Sequence, residues 1–178
     1  MSIIQILDKK FETFIPYNEI ETAIAKMAEK MNPELRDKKP IFLVILNGSF
    51  MFAADLMKMM DFPCEISFIK LASYSGTQST ENVKELIGFN EDIKGRTIVI
   101  VEDIIDSGLT LAGVIGQLNK MGAAEVKIST LLFKPNAFKE HYNIDYIGIE
   151  IPNDFIVGYG LDYNQYGRNY KDIYKITE

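Results

Sequence analysis

Two uninterrupted apolar runs organise the chain, Ile41 to Leu46 and Ile98 to Val101. A strand covered on both faces has no polar side to display, so each run predicts a buried central strand. Val126 to Phe133 predicts another. Cys64 to Leu71 alternates well enough for a strand, and Val83 to Phe89 and Tyr146 to Glu150 are shorter candidates. Helical spacing lies between them. Ile20, Ile24, Met27 and Met31 follow Asn18, which with Glu21 makes an Asn-x-x-Glu variant of the capping box. That helix is expected to start at Asn18 and to end at Pro33. A second helix runs through Phe50, Ala53, Ala54, Leu56 and Met57, and a third from about Leu109 to Lys120, stopped by Gly122. Buried strands separated by helices predict an α/β fold with crossover connections and a mainly parallel sheet. The tail from Asp154 to Tyr174, rich in aromatics and turn residues and ending in a short strand near Asp172 to Lys175, breaks that rhythm. It predicts a small accessory lobe over the carboxyl edge of the sheet.

Composition narrows the class. With 178 residues, no repeat and no linker, the chain is expected to form one domain, with a core over about 17–150 and a hood from about 1–16 and 151–178. A net charge of −6 disfavours a nucleic-acid partner, because neutralising phosphates takes clustered Lys and Arg. The one cysteine, Cys64, has no internal partner and reads as a small buried hydrophobe. The one histidine, His141, lies in a polar connection and reads as surface, which excludes multi-His zinc sites. Met1 to Lys10 has no apolar signal-like region and no run reaches membrane-spanning length, so the expected location is cytoplasmic, away from membranes.

The chemistry concentrates where the second apolar run ends. Ile98 to Thr110 reads Ile-Val-Ile-Val-Glu-Asp-Ile-Ile-Asp-Ser-Gly-Leu-Thr. The abrupt Glu102-Asp103 pair is expected to mark the exit of the strand into solvent, followed by a short acidic loop and a helix start. In open α/β sheets, ligands bind beyond the carboxyl ends of the strands. A helix N-terminus there offers unpaired N–H groups and a positive dipole end suited to phosphate, and Ser107 and Thr110 add hydroxyls. Glu102 and Asp103 suit sugar hydroxyls or a divalent cation. Taken singly, Asp106 or Ser107 also reads as an ordinary helix N-cap, and two acids at a strand end as a solvated edge.

The order of these residues resembles the phosphoribosyl-pyrophosphate (PRPP) signature of type I phosphoribosyltransferases. Three further stretches extend the likeness over nearly the whole chain: Leu46-Asn47-Gly48-Ser49, Ser73-Tyr74, and Phe155-Ile156-Val157-Gly158-Tyr159-Gly160-Leu161-Asp162-Tyr163 with Arg168. Together they resemble the 6-oxopurine salvage branch, the hypoxanthine-guanine phosphoribosyltransferases. The resemblance implies a mainly parallel twisted sheet flanked by helices under a small hood, and transfer of the phosphoribosyl group from PRPP to N9 of a purine with release of pyrophosphate. It implies Mg²⁺ as cofactor and a homodimer or homotetramer.

It also implies roles. Asp106, Ser107, Gly108, Leu109 and Thr110 would hold the 5′-phosphate, with Asp106, near purine N7, as general base or acid. Glu102 and Asp103 would hold the ribose hydroxyls, directly or through Mg²⁺. Asn47, Gly48, Ser49 and Arg168 would bind pyrophosphate, with a cis Leu46–Asn47 bond aiming the N–H groups of Gly48 and Ser49. Lys134 would donate to the 6-oxo group, Phe155 would stack on the base, and Ile156 would contact its edge. Asp162 would lie near the base and Mg²⁺–pyrophosphate. Ser73 and Tyr74 would belong to a lid over an oxocarbenium-like centre that water would quench.

Two positions depart from the family pattern: Asn47 stands where Lys or Arg is frequent, and Asp154 where many relatives carry Lys. Both remove positive charge near an anionic ligand. A xanthine-preferring transferase of the same fold, and a nucleic-acid-binding regulator built on it, remain as alternatives. A phosphatase or receiver domain leaves Lys134 and the Phe155 segment without a use.

Overall fold

The computed structural model of the chain describes residues 2–72, 84–87 and 92–177. In chain order the elements are β1 (Ile3–Ile6), β2 (Lys9–Ile15), α1 (Tyr17–Leu35), a 3₁₀ turn (Arg36–Lys38), β3 (Ile41–Leu46), α2 (Phe50–Lys58) and β4 (Glu65–Ala72). Then follow β5 (Lys84–Ile87), β6 (Thr97–Ile105), α3 (Leu109–Lys120), β7 (Glu125–Phe133), β8 (Tyr146–Glu150), β9 (Ile156–Val157) and β10 (Ile173–Ile176).

The larger sheet runs β5-β4-β3-β6-β7-β8. All pairs are parallel except β4 with β5. The two apolar runs became its central strands, and their alternation feeds two cores. Phe42, Val44, Val99 and Val101 pack with α1 and α2 on one face. Ile41, Leu43, Ile45, Ile98 and Ile100 pack with Leu111, Val114 and Leu118 of α3 on the other. Among the described residues, no helix is long and apolar enough to cross a membrane.

Three expectations need correction. Glu102 and Asp103 do not leave the sheet: β6 continues to Ile105 and stays paired with β7 up to Ile105↔Phe133. What ends is the other flank, where β3 pairs with β6 only as far as Val44↔Val101. The acids are therefore strand residues facing a gap on one side. The start of α1 is at Tyr17, after Pro16, with no side-chain cap from Asn18. Asp172 instead accepts from the Tyr17 N–H at 2.8 Å, a cap supplied from far along the chain. Nor does Pro33 end α1, which runs to Leu35. Pro33 and Glu29, whose carbonyl loses a partner, are both exposed, so water can serve that carbonyl, while fully buried Leu35 holds the last turn in the core.

The chain ends form a second, antiparallel sheet ordered β1-β2-β10-β9. Phe11, Val157 and Tyr174 fill its small core. Asp55 on α2 helps fasten this hood to the main sheet. Its carboxylate accepts from Tyr159 Oη at 2.6 Å and Tyr17 Oη at 3.3 Å and pairs with Lys58. Burial alone would raise the Asp55 pKa, but these donors outweigh it and hold it below the ordinary value. Cys64 is half-buried against the core and burial pushes its thiol up, while His141 is exposed.

Candidate active site

Between β3 and β6 the order of strands reverses, with β4 on one side and β7 on the other. Such a reversal opens a crevice at the carboxyl edge of an open sheet. Here β3 has already given way to Asn47-Gly48-Ser49 where β6 still carries Glu102 and Asp103. A cleft at this edge is lined by Glu102, Asp106, Ser107, Gly108 and Thr110 among others.

Gly48 is where the parts meet. A Cβ built on it would lie 1.6 Å from Asp103 Oδ2, so the carboxylate packs directly on the glycine. From the hood, a Cβ on Gly160 would lie 1.9 Å from the Gly48 carbonyl oxygen. The bond between Leu46 and Asn47 is cis. Ser49, fully buried, donates from Oγ to the Ile45 carbonyl at 2.7 Å, and the same Oγ lies 3.3 Å from Glu102 Oε1. Asn47 is exposed.

The acids are electrostatically loaded. Burial, then the adjacent negative charge of Asp103, hold the Glu102 carboxyl well above its usual range. Asp103 is raised by burial too, with partial relief from hydrogen bonds, the Ile104 N–H at 2.8 Å among them, and from the charge of Arg168. Folded Glu102 thus keeps its proton to a higher pH than in the unfolded chain. Above the ordinary value of 4.5 the folded state binds more protons, so stability falls as pH rises through the window up to the raised value. Thermal melts of the ligand-free protein across that window should show Tm declining with pH, and Glu102→Gln should flatten the decline. A Tm that rises over this window, with the same slope in the variant, would contradict the assignment.

On the α3 side, Gly108 takes a φ of 83° and begins the helix, with Leu111 and Ala112 donating to its carbonyl at 3.1 Å each. Ser107 is half-buried, and Asp106, Leu109 and Thr110 are exposed. Next door, Lys134 is nearly buried. Its backbone N–H donates to the Ile105 carbonyl at 3.0 Å, and its Nζ lies 3.1 Å from Asp106 Oδ2. Adjacent parallel strands thus deliver an acid and a base to one point.

From the hood, Arg168 donates through Nη1 to the Gly160 carbonyl at 2.7 Å and pairs through Nη2 with Asp162 at 2.5 Å. Asp162 also accepts from the Gln165 N–H at 2.8 Å. Phe155 is 47% exposed, edge-on to Tyr163 and tilted to Phe11, while Ile156 is buried in β9. Ser73 and Tyr74 lie outside the described residues. Among the described residues no group of three His, Cys, Asp or Glu side chains surrounds a cation position. Glu102 and Asp103 come together, whereas Asp162 faces Arg168. Two partly buried carboxylates without a matching pair of cations still fit Mg²⁺, which commonly uses one or two carboxylates and takes its other ligands from phosphates and water.

Asp55, Phe138 and Tyr142 lie outside every motif in the sequence, and Tyr159 stands inside one without a role of its own. The aromatic spacing after Lys134 was the available sign for Phe138 and Tyr142; nothing local marks Asp55.

Residues 16–164 match the phosphoribosyl transferase domain model. The chain belongs to the phosphoribosyltransferase family. It is 38% identical over 169 residues to the hypoxanthine phosphoribosyltransferase of Salmonella typhimurium, covering 93% of this chain and 95% of that one. To the hypoxanthine-guanine phosphoribosyltransferase of Bacillus subtilis it is 37% identical, covering 89% and 88%. The crystal structure of a hypoxanthine phosphoribosyltransferase from Staphylococcus aureus superposes with a TM-score of 0.88 at 32% identity, covering 93% and 91%. These relatives place the chain on the hypoxanthine(-guanine) branch of the family.

Proposed function

We propose that this chain salvages purines by transferring the 5-phosphoribosyl group of PRPP to N9 of hypoxanthine or guanine, giving IMP or GMP and pyrophosphate. The observation that carries this reading is the Lys134–Asp106 pair, 3.1 Å apart beside a helix N-terminus at the strand-order reversal. A purine displays its 6-oxo group and N7 on one edge, so the groups that read them must be neighbours. Lys134 donates to the 6-oxo oxygen. Adenine, whose 6-amino group also donates, leaves that ammonium without an acceptor.

The N–H groups of Ser107 to Thr110 hold the 5′-phosphate, which replaces the long contact, 3.5 Å, between the Leu109 N–H and Ser107 Oγ. As the bond from C1 to pyrophosphate breaks and that from C1 to N9 forms, Asp106 takes the proton from N7. Gly48, Ser49 and Arg168 receive the pyrophosphate; a planar guanidinium fork suits two phosphate oxygens. Phe155 supplies a stacking face for the base and Ile156 packs near its edge. Glu102 and Asp103 hold the ribose hydroxyls and would hold Mg²⁺, and Asp162 would lie near Mg²⁺–pyrophosphate. When bound, Mg²⁺ neutralises charge on the leaving group. The assembly is a cytoplasmic homodimer or homotetramer. Ile66 and Phe68, two apart on one face of β4, and Phe50 at the start of α2 expose apolar area for a second copy to cover.

Steady-state assays with PRPP, Mg²⁺ and each of hypoxanthine, guanine, xanthine and adenine test this reading. Turnover with hypoxanthine or guanine and little with adenine is expected; adenine used equally well overturns it. Lys134→Ala should raise KM for hypoxanthine by about 10- to 100-fold, the worth of a hydrogen bond from a charged donor.

A further inference from the structure

Gly108 poses a mechanical problem. Its φ of 83° lies in the region where glycine alone moves freely. The glycine itself therefore sets little restraint on the peptides either side of it, and their orientation rests on hydrogen bonds, which for the Gly108 carbonyl begin with those from Leu111 and Ala112. In a trans peptide the C=O and N–H point in opposite directions. Whatever holds the carbonyls of Ser107 and Gly108 thus decides where the N–H groups of Gly108 and Leu109 point.

The segment after β7 holds both carbonyls. It leaves Lys134 through a turn in which the Ala137 and Phe138 N–H groups donate to the Lys134 carbonyl at 3.1 and 3.2 Å. It then passes behind the loop. The Lys139 N–H donates to the Ser107 carbonyl at 3.2 Å, and Tyr142 Oη donates to the Gly108 carbonyl at 2.8 Å. The latter is shorter than either helical bond to the same oxygen. The segment is itself rigidly seated. Phe133, Phe138 and Tyr142 form an edge-to-face stack with centroids 5.4 and 5.3 Å apart, packed on the α3 core. A Cβ on Gly108 would lie 2.6 Å from Phe138 and 2.7 Å from Tyr142 Oη, so the strap touches the glycine directly.

We propose that Tyr142 is a positioning residue for the phosphate site: by pinning the Gly108 carbonyl, its hydroxyl fixes the peptide that carries the Leu109 N–H, which meets Ser107 Oγ at 3.5 Å in the ligand-free loop and turns to the sugar phosphate when it binds. This rests on the reading of Ser107 to Thr110 as that site. The same strap starts at Lys134, so the group that reads the base and the tie that shapes the phosphate loop belong to one rigid piece. Burial, with the charges of Glu140 and Glu102, pushes the Tyr142 hydroxyl up to about 12, which keeps it a donor at any working pH.

Tyr142→Phe keeps the ring stack and removes only the tie. KM for PRPP should rise about five-fold, the worth of a single hydrogen bond, with kcat and KM for hypoxanthine unchanged. Tyr146→Phe, which removes a buried hydroxyl bonded to Glu34 away from the loop, should leave KM for PRPP alone whatever it does to Tm. Unchanged KM for PRPP in Tyr142→Phe, or an equal rise for both substrates, overturns the inference. A wild-type protein inactive with every 6-oxopurine overturns the functional reading instead. Inorganic phosphate titrated against the Gly108 and Leu109 amide resonances then decides the role of Tyr142. Weaker phosphate binding in the variant upholds it, and equal binding ends it.

Discussion

Asp106→Asn lowers kcat by about 100-fold or more while KM for PRPP changes little. The size is that of a lost general acid–base group. The split follows from geometry. Asp106 is exposed at the end of β6, and its contribution to the cleft is a carboxylate oxygen 3.1 Å from Lys134 Nζ. On the proposed reading, phosphate would be gripped by backbone N–H groups that the substitution leaves in place, since asparagine has the same shape. The amide cannot accept the N7 proton, and it also removes the negative partner of Lys134. Initial-rate kinetics varying PRPP and hypoxanthine separately measure the effect. Equal turnover in the variant would take Asp106 out of the chemistry.

Gly160→Ala is expected to cost about 2 kcal/mol or more and to lower Tm by about 4–8 °C. Two effects combine. The residue has a φ of 97°, closed to most side chains, and its added methyl would sit 1.9 Å from the Gly48 carbonyl oxygen. That neighbour is backbone, so no rotamer change relieves the overlap; the hood must lift or the Asn47–Ser49 loop must shift. Either movement separates Arg168, which is bonded to the Gly160 carbonyl, from Gly48. Affinity for PRPP should therefore fall along with stability. Gly116→Ala is the matched control, because a Cβ there meets nothing within 4 Å and alanine favours the α3 helix. Gly160→Ala melting like the wild type would mean that the hood does not rest on Gly48 in solution.

Much of the architecture was readable from local pattern. The runs Ile41 to Leu46 and Ile98 to Val101 could only be central strands, because burying both faces leaves no place for a polar residue. The loop of Asp106 to Gly108 and the helix after it were legible for a related reason, since a glycine before an apolar-periodic stretch marks a boundary in backbone geometry. The start of α1 is not legible locally because its cap comes from Asp172, which no local window contains. Pro33 was misread because the cost of a missing N–H depends on whether water reaches the orphaned carbonyl, and that is decided by packing. The acids mimic a strand exit in the sequence because a strand can outlast one neighbour while keeping the other.

What the order of residues determined by itself was the set of elements, the central strands and the identity of the chemical groups, since these follow from periodicity and backbone preference over short stretches. Only the tertiary structure decided which groups meet. Lys134 faces Asp106 because β6 and β7 run parallel and end in step. Gly48 sits beneath both Asp103 and Gly160 because the hood folds back over the sheet. Tyr142 reaches Gly108 because a strap returns behind the loop. Contacts between residues distant in sequence depend on the path of the whole chain, and no local pattern encodes that path.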